Sequence, residues 1–120
     1  MATILIVDDV QTNRDLMAKV VATCGHQAAF AGDGEEAVAK AAALKPALVL
    51  MDVVMPKMDG FQACRKIKKD PATAGIPVVL VTQKISDSDR FWGSKQGADG
   101  HLGKPFTPDQ LRAVVGTFVK

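Results

Sequence analysis

Short apolar runs alternate along the chain with longer segments of helical periodicity, and this alternation is repeated five times. The first run is continuous in aliphatic and β-branched residues, which is typical of a strand covered on both faces. The five predicted strands are Thr3–Val7, a weak run at Gln27–Ala31, Ala47–Met51, Pro77–Val81 and a short run at Asp99–Leu102. Alternating strands and helices predict an α/β fold with a doubly wound parallel sheet.

The helical segments have recognisable start and stop signals. The last helix has the clearest start, because Pro108 at the first helical position follows a threonine and Gln110 completes a capping pattern. The predicted N-caps are Asp33, Asp59, Ser86 and Thr107. Helix one is expected to end at Gly25, and its predicted core stripe is Leu16, Met17, Val20, Val21 and Cys24.

Composition bounds the class of protein. The chain has 120 residues, 48% of them hydrophobic and 23% charged, which predicts one soluble domain over residues 1–120. The net charge is +2, and the one basic run, Arg65–Lys69, is interpreted as the solvated face of a helix, so neither nucleic-acid binding nor membrane insertion is expected. Cys24 and Cys64 are interpreted as free buried thiols in a reducing cytoplasm. We expect signalling by protein–protein contact without an output domain after Lys120, unless the chain is part of a longer protein, and we expect a monomer.

Acidic residues follow two of the predicted strands. Asp8 and Asp9 come directly after the first strand, and Asp52 comes directly after the third. The carboxyl ends of parallel strands are where open α/β sheets bind ligands. Two carboxylates about 4 Å apart repel by roughly 4 kcal/mol at an effective dielectric near 20, so a cation is needed among them. Mg²⁺, which prefers oxygen ligands, is the simplest candidate.

A hydroxyl and an ammonium group follow the next two strands, at Thr82 and Lys104. Together with a metal-binding carboxylate cluster they suit a phosphoryl group, whose transfer depends on positioning and charge neutralisation. Asp52 is the candidate nucleophile, because an aspartate carboxylate can accept phosphoryl covalently.

Four motifs in this order resemble the receiver domains of two-component response regulators. They are ILIVDD, LVLMDVVMPKMDG, VVLVT and GKPF, and the resemblance covers essentially the whole chain. It implies the flavodoxin-like strand order 2-1-3-4-5. It also implies phosphorylation by the phosphohistidine of a partner histidine kinase, and a downstream target protein contacted through helix four, strand five and helix five.

The resemblance also assigns roles to individual residues. It makes Asp52 the phosphoacceptor, Asp9 a direct Mg²⁺ ligand, Asp8 a ligand acting mainly through water, and Val54 a ligand through its backbone carbonyl. Thr82 would be the switch hydroxyl that bonds a phosphoryl oxygen. Lys104 would pair with another phosphoryl oxygen, and its peptide bond to Pro105 would be cis.

Two positions depart from the family pattern. His101 stands where receivers usually have the tyrosine or phenylalanine that turns inward on activation, so its inward position is expected to be less favourable and sensitive to pH. Gln83 is larger than the small residue common after the switch hydroxyl, and we expect it to crowd the phosphoryl group.

Several alternatives stay open at this point. A degenerate receiver would signal by binding without phosphorylation. A haloacid-dehalogenase-like phosphatase would need a second acid where Val54 stands, and a flavodoxin-type flavin carrier would be opposed by Asp8 and Asp9. Within the receiver family, the segment QKISDSDRFWGSKQGADGHLGKPF is most similar to stand-alone regulators of chemosensory systems that control type IV pilus motility.

Overall fold

The computed structural model describes residues 2–83 and 86–119, which form strands and helices in strict alternation. The strands are β1 (Thr3–Val7), β2 (Gln27–Ala31), β3 (Leu48–Met51), β4 (Val78–Thr82) and β5 (Gly100–Gly103). The helices are α1 (Gln11–Thr23), α2 (Gly34–Leu44), α3 (Gly60–Lys69), α4 (Asp87–Lys95) and α5 (Pro108–Phe118). The predicted α/β class is therefore confirmed, and no strand limit differs from prediction by more than one residue.

The five strands form one parallel sheet in the order β2-β1-β3-β4-β5, as predicted. The direction of strand addition reverses between β1 and β3, because the chain first adds β2 on one side of β1 and then β3 on the other. Val7 at the end of β1 is in register with Met51 at the end of β3. The residues after these two strands therefore emerge side by side, in the crevice where ligands bind to this kind of sheet.

The apolar core has two layers, one on each face of the sheet. Residues of β1 alternate between them: Ile4 and Ile6 pack towards α1 and α5, whereas Leu5 and Val7 pack towards α2 and α3. All four side chains are fully buried. A strand buried on both faces must be apolar throughout, which accounts for the continuous run in the sequence.

The predicted helix starts are present. Asp59, Ser86 and Thr107 each cap a helix, and each forms a reciprocal capping box with the residue three positions later. Asp33 caps α2 by accepting from the N–H of Glu36. Gly25 follows the end of α1 with φ +82°, a conformation that favours glycine.

Three local predictions are wrong or incomplete. Leu16 is 55% exposed, because the buried stripe of α1 runs through Met17, Val20 and Val21 and leaves Leu16 to one side. Cys24 is only half-buried, at the C-terminal end of α1. The α4 helix ends at Lys95 rather than Gly97.

The basic run of α3 is not uniformly solvated. The Nζ atom of Lys68 lies 2.7 Å from Oδ2 of Asp99 and donates to the carbonyl oxygen of Ile76 at 2.7 Å. Its side chain is 16% exposed, and it ties the end of α3 to the beginnings of β4 and β5. Within the described residues, no helix is long and apolar enough to cross a bilayer.

Candidate functional site

The structure brings the three predicted acids together at the carboxyl edge of the sheet. Asp8 follows β1 directly and Asp52 follows β3 directly, so the strand register places them side by side. Each of Asp8, Asp9 and Asp52 contributes one carboxylate oxygen to a group in which all oxygens lie within 4.8 Å of one another. This donor set suits a divalent cation, because hard cations take carboxylate oxygens.

The three carboxylates differ in exposure. The Asp8 side chain is fully buried, that of Asp52 is 14% exposed, and Asp9 is exposed. A buried carboxylate is costly unless it is paired and hydrogen-bonded. The cluster is therefore open to solvent on the Asp9 side, and its buried member needs partners.

Lys104 supplies the principal charged partner. Its Nζ atom lies 2.6 Å from Oδ2 of Asp8 and 3.4 Å from Oδ2 of Asp52. Lys104 follows β5, its backbone N–H donates to the carbonyl of Thr82 at 3.0 Å, and its peptide bond to Pro105 is cis. The lysine side chain is 15% exposed, so the ammonium is held against the acids with little access to water.

Two residues that the sequence analysis did not single out complete the environment of Asp8. The side-chain amide of Asn13 donates to Oδ2 of Asp8 at 3.3 Å, and Nη1 of Arg14 donates to the Asp8 carbonyl at 2.6 Å. Both lie in the first turn of α1. Their position shortly after the acidic pair could have identified Asn13 and Arg14 as site residues, since the first helical turn after a strand lies at the same sheet edge.

Asp8 and Asp9 do not cap α1, so helix capping does not account for these two acids. The N-cap residue is Val10, and no side chain caps this helix. Oδ1 of Asp8 instead accepts from the N–H of Val10 at 2.9 Å, which fixes the carboxylate within the cluster.

The backbone around Asp52 orients its carboxylate. Oδ1 accepts from the N–H of Val53 at 2.7 Å, which leaves Oδ2 directed towards Lys104. Gly60, the first residue of α3, donates its N–H to the carbonyl of Val53 at 2.8 Å. A Cβ at position 60 would lie 2.2 Å from the carbonyl oxygen of Asp52, so only glycine allows this close approach.

A cleft of about 440 Å³ opens beside the acidic cluster. It is lined by Asn13, Asp52, Val54, Thr82, Gln83 and Lys104. Thr82 is buried at the end of β4, whereas Val54 is 58% exposed. The cleft thus has a carboxylate, an ammonium, a hydroxyl and an amide on its walls, an arrangement that suits a small anionic group.

His101 is not among the residues that line this cleft. Its ring lies between β5 and α4, where a Cβ at Gly93 would be 2.4 Å from Nε2. Nε2 is buried and has no hydrogen-bond partner among the described residues. Burial, and then the positive charge of Arg90, lower the pKa of His101 below its usual value.

Comparisons with known proteins agree with this fold and site. The model of the response regulator receiver domain matches residues 4–116 of the chain. The chain is 45% identical over 111 residues to the protein PilH of Pseudomonas aeruginosa, which covers 92% of each of the two chains.

Solved structures of related proteins have the same fold. The chemotaxis protein CheY4 of Vibrio cholerae superposes with a TM-score of 0.93 at 30% identity, covering 99% of both chains. The receiver domain of the sensor histidine kinase PA1611 from Pseudomonas aeruginosa superposes with a TM-score of 0.90 at 26% identity, covering 98% of this chain and 96% of that one. That structure is described as having a magnesium ion coordinated in its active site cleft.

The five-stranded parallel sheet, with an acidic cluster and a lysine at its carboxyl edge, agrees with a family of phosphoacceptor switches. The chain belongs to the response regulator receiver domain family. Members of this family interact with histidine kinases and with downstream targets, and phosphorylation on an aspartate with Mg²⁺ is typical of them. Membership confirms the predicted family and disfavours the phosphatase and flavin-carrier alternatives.

Proposed function

We propose that this chain is a phosphorylation-controlled signalling switch whose phosphoacceptor is Asp52. Mg²⁺ would be held by the carboxylates of Asp8, Asp9 and Asp52 and by the backbone carbonyl of Val54. The observation that supports this most strongly is the convergence of three carboxylate oxygens within 4.8 Å beside one ammonium group. One ammonium group balances only part of the negative charge of three carboxylates, and a phosphoryl group brings further negative charge.

The chemical step is a transfer between a histidine and an aspartate. A carboxylate oxygen of Asp52 forms a bond to phosphorus, while the bond between phosphorus and the imidazole nitrogen of the kinase breaks and that nitrogen takes up a proton. Bound Mg²⁺ supplies charge neutralisation for the phosphoryl oxygens. The hydrogen bond from the Val53 N–H to Oδ1 favours attack by Oδ2, which is the oxygen that lies 3.4 Å from the Lys104 ammonium.

Lys104 and Thr82 would then convert the new charge into movement. A phosphoryl group on Asp52 attracts the Lys104 ammonium away from Asp8 and attracts the Thr82 hydroxyl. The two residues are coupled, because the backbone N–H of Lys104 donates to the carbonyl of Thr82. The loops that follow β4 and β5 would therefore shift together. His101 on β5 is the proposed switch residue that responds to this shift.

A second feature supports docking of a kinase domain beside the acceptor. An apolar groove of about 440 Å³ adjoins the cleft and is lined partly by Leu16, Met17 and Phe106. Leu16 is the exposed leucine that the core of α1 leaves out. We propose that the histidine-bearing domain of the kinase covers this groove, because exposed apolar surface next to a reactive centre is typical of a partner contact.

The direct test is phosphorylation by a small phosphodonor such as phosphoramidate in the presence of Mg²⁺, followed by intact-mass spectrometry. One phosphoryl group should be added to the wild type and none to Asp52→Asn. Asp15→Asn is the matched control, because Asp15 is exposed on α1 and does not line the cleft. Unchanged labelling of Asp52→Asn would refute the assignment, and absence of labelling in the wild type would favour a receiver that signals by binding alone.

For the pathway, we propose a class of signalling system rather than individual partners. The likeness of residues 83–106 to regulators of type IV pilus chemosensory systems, and the 45% identity to PilH, support a role in such a system in the cytoplasm. The proposed readout surface is α4, β5 and α5. Co-purification from the native cell, with and without a beryllofluoride mimic of the phosphoryl group, should identify a target that binds preferentially in one state.

A further inference from the structure

A second cleft, separate from the acidic site, lies between α3 and α4. It has a volume of about 450 Å³, and Arg65, Lys69, Trp92, Lys95, Gln96 and Gly97 line it. Neither the acidic cluster nor Thr82 contributes to it. We call this surface the α3–α4 groove.

The charged side chains that line the α3–α4 groove are all basic. Arg65, Lys69 and Lys95 are exposed, and among the described residues none of the three forms an ion pair with a carboxylate. The ammonium of Lys95 lies instead 5.4 Å from the centre of the Phe91 ring. Three unpaired positive charges around one cleft create a local positive potential that attracts a negatively charged ligand.

The floor of the groove is rigidly held. Lys68 also contributes to it, and its ammonium is occupied by Asp99 and by the carbonyl of Ile76, each at 2.7 Å. The stem of Lys68 packs against Gly97, where a Cβ would lie 2.9 Å from Cγ. A surface that is already ordered loses little conformational entropy when a ligand binds.

Two large aromatic side chains of α4 are exposed, and one of them, Trp92, lines the groove. Trp92 is 53% exposed and Phe91 is 63% exposed. Tryptophan is among the residues that most often dominate the binding energy of protein interfaces. Asp87 and Asp89 border the same two rings, and Arg90 stands between these acids and Phe91, so the acids of α4 lie at its start and Lys95 at its end.

We propose that the α3–α4 groove binds an acidic segment of a partner protein, with an apolar side chain of that segment seated against Trp92. Charge complementarity selects this occupant. A nucleic acid or an anionic membrane would present negative charge along its whole length, which Asp87 and Asp89 disfavour because the adjacent Arg90 offsets only one of these two charges. A peptide can instead place its acids only at the Arg65, Lys69 and Lys95 end.

The α3–α4 groove lies outside the phosphorylation site, because the phosphoacceptor does not line it. Binding of a partner there would add to the proposed function. Binding should therefore persist in Asp52→Asn, which distinguishes failure of this proposal from failure of the phosphorylation proposal.

The test is selection of a random-peptide display library on the immobilised full chain, followed by fluorescence anisotropy of the enriched peptides. The groove variant is the double substitution Lys69→Glu with Lys95→Glu. Its matched control is Lys19→Glu with Lys66→Glu, which makes the same change in net charge at exposed lysines outside the groove. Oligodeoxythymidine and phosphatidylglycerol vesicles are titrated in parallel, with the fluorescence of Trp92 as the signal.

We expect enriched peptides that combine several acidic residues with an aromatic residue or leucine. Their affinity should fall at least about tenfold in the groove variant and about tenfold in Trp92→Ala, and should change much less in the control. The proposal is overturned if no peptide is enriched, if enriched peptides are not acidic, or if groove variant and control lose affinity equally. Tighter binding of the oligonucleotide or the vesicles than of the peptides would also overturn it.

Discussion

The ammonium of Lys104 lies 2.6 Å from Oδ2 of Asp8, closer than the 3.4 Å to Oδ2 of Asp52. Asp8 is fully buried, so this contact balances the most costly charge of the site. Lys104 therefore acts as an internal counter-cation of the acidic cluster. A divalent ion bound to the same oxygens would take over that task and release the lysine for a phosphoryl group.

Replacing Lys104 should make the protein depend on the metal for stability. Without a divalent ion, Lys104→Met should lower the free energy of unfolding by about 3 kcal/mol, because a buried carboxylate loses its partner. Affinity for Mg²⁺ should rise about tenfold, since a competing positive charge is gone. Urea unfolding with and without MgCl₂, together with calorimetric titration, measures both effects.

The control for this variant is Lys57→Met. Lys57 is 63% exposed and lies 3.7 Å from a carboxylate oxygen of Asp33 at the surface, so its loss should change stability by less than about 1 kcal/mol. Equal behaviour of the two variants, or weaker Mg²⁺ binding by Lys104→Met, would contradict the role of Lys104 as counter-cation.

The environment of His101 predicts a pH dependence of stability. Burial and Arg90 lower its pKa in the folded chain, so the unfolded chain binds more protons between the folded and unfolded pKa values. The free energy of unfolding should therefore decrease as pH falls from about 6.5 through the folded pKa, and this contribution should be constant below it.

Two variants isolate this effect. His101→Phe should remove that part of the pH dependence, and Arg90→Gln should move the NMR titration midpoint of the imidazole back towards its ordinary value. The NMR midpoint in the wild type should lie below about 6.5. A midpoint above that value would show that Nε2 of His101 is not buried against Gly93 as described.

The sequence was sufficient to predict which acids converge, because the carboxyl ends of neighbouring parallel strands share one edge. For Asp8, Asp9 and Asp52, this prediction required only the assignment of the strands and their order in the sheet. The partner of Lys104 could not be predicted in this way. Whether its ammonium lies nearer to Asp8 or to Asp52 depends on the path of the loop after β5 and on a side-chain rotamer.

The basic run of α3 illustrates the same limit. Periodicity places Arg65 and Lys68 on one helix but does not show that the chain returns past the end of α3. That return brings Ile76 and Asp99 within reach of Lys68. The wrong prediction that Leu16 belongs to the core has a related cause. Spacing by three or four residues identifies the apolar stripe of a helix but not the edges of that stripe.

Because Gly60 lies against the backbone of Asp52, replacing it should change the free energy of unfolding far more than replacing Gly116. Gly60→Ala should lower the free energy of unfolding by about 3 kcal/mol, because its Cβ would overlap backbone atoms that cannot rotate away. Gly116→Ala is the control, since nothing lies within 4 Å of its Cβ position in α5 and alanine favours a helix by about 0.5–1 kcal/mol. Chemical denaturation compares the two, and similar effects would contradict the described packing.

The two cysteines should differ in reactivity. Burial raises the pKa of the Cys64 thiol to about 12, so almost no thiolate forms near neutral pH. Cys64 should therefore react with a thiol reagent such as DTNB only at the rate of unfolding, while the half-buried Cys24 reacts faster. Single variants Cys24→Ser and Cys64→Ser assign the two phases, and rapid labelling of Cys64 in the folded protein would show that it is more accessible than the structure indicates.

The proposed switch requires that the acidic cluster bind a divalent metal ion, and an NMR titration of the isotopically labelled chain with MgCl₂ tests this directly. We predict saturable shifts centred on the amides of Asp9, Asp52, Val53 and Val54, and their loss or strong weakening in Asp9→Asn. Shifts that do not saturate, that centre elsewhere, or that persist unchanged in Asp9→Asn would contradict the central claim.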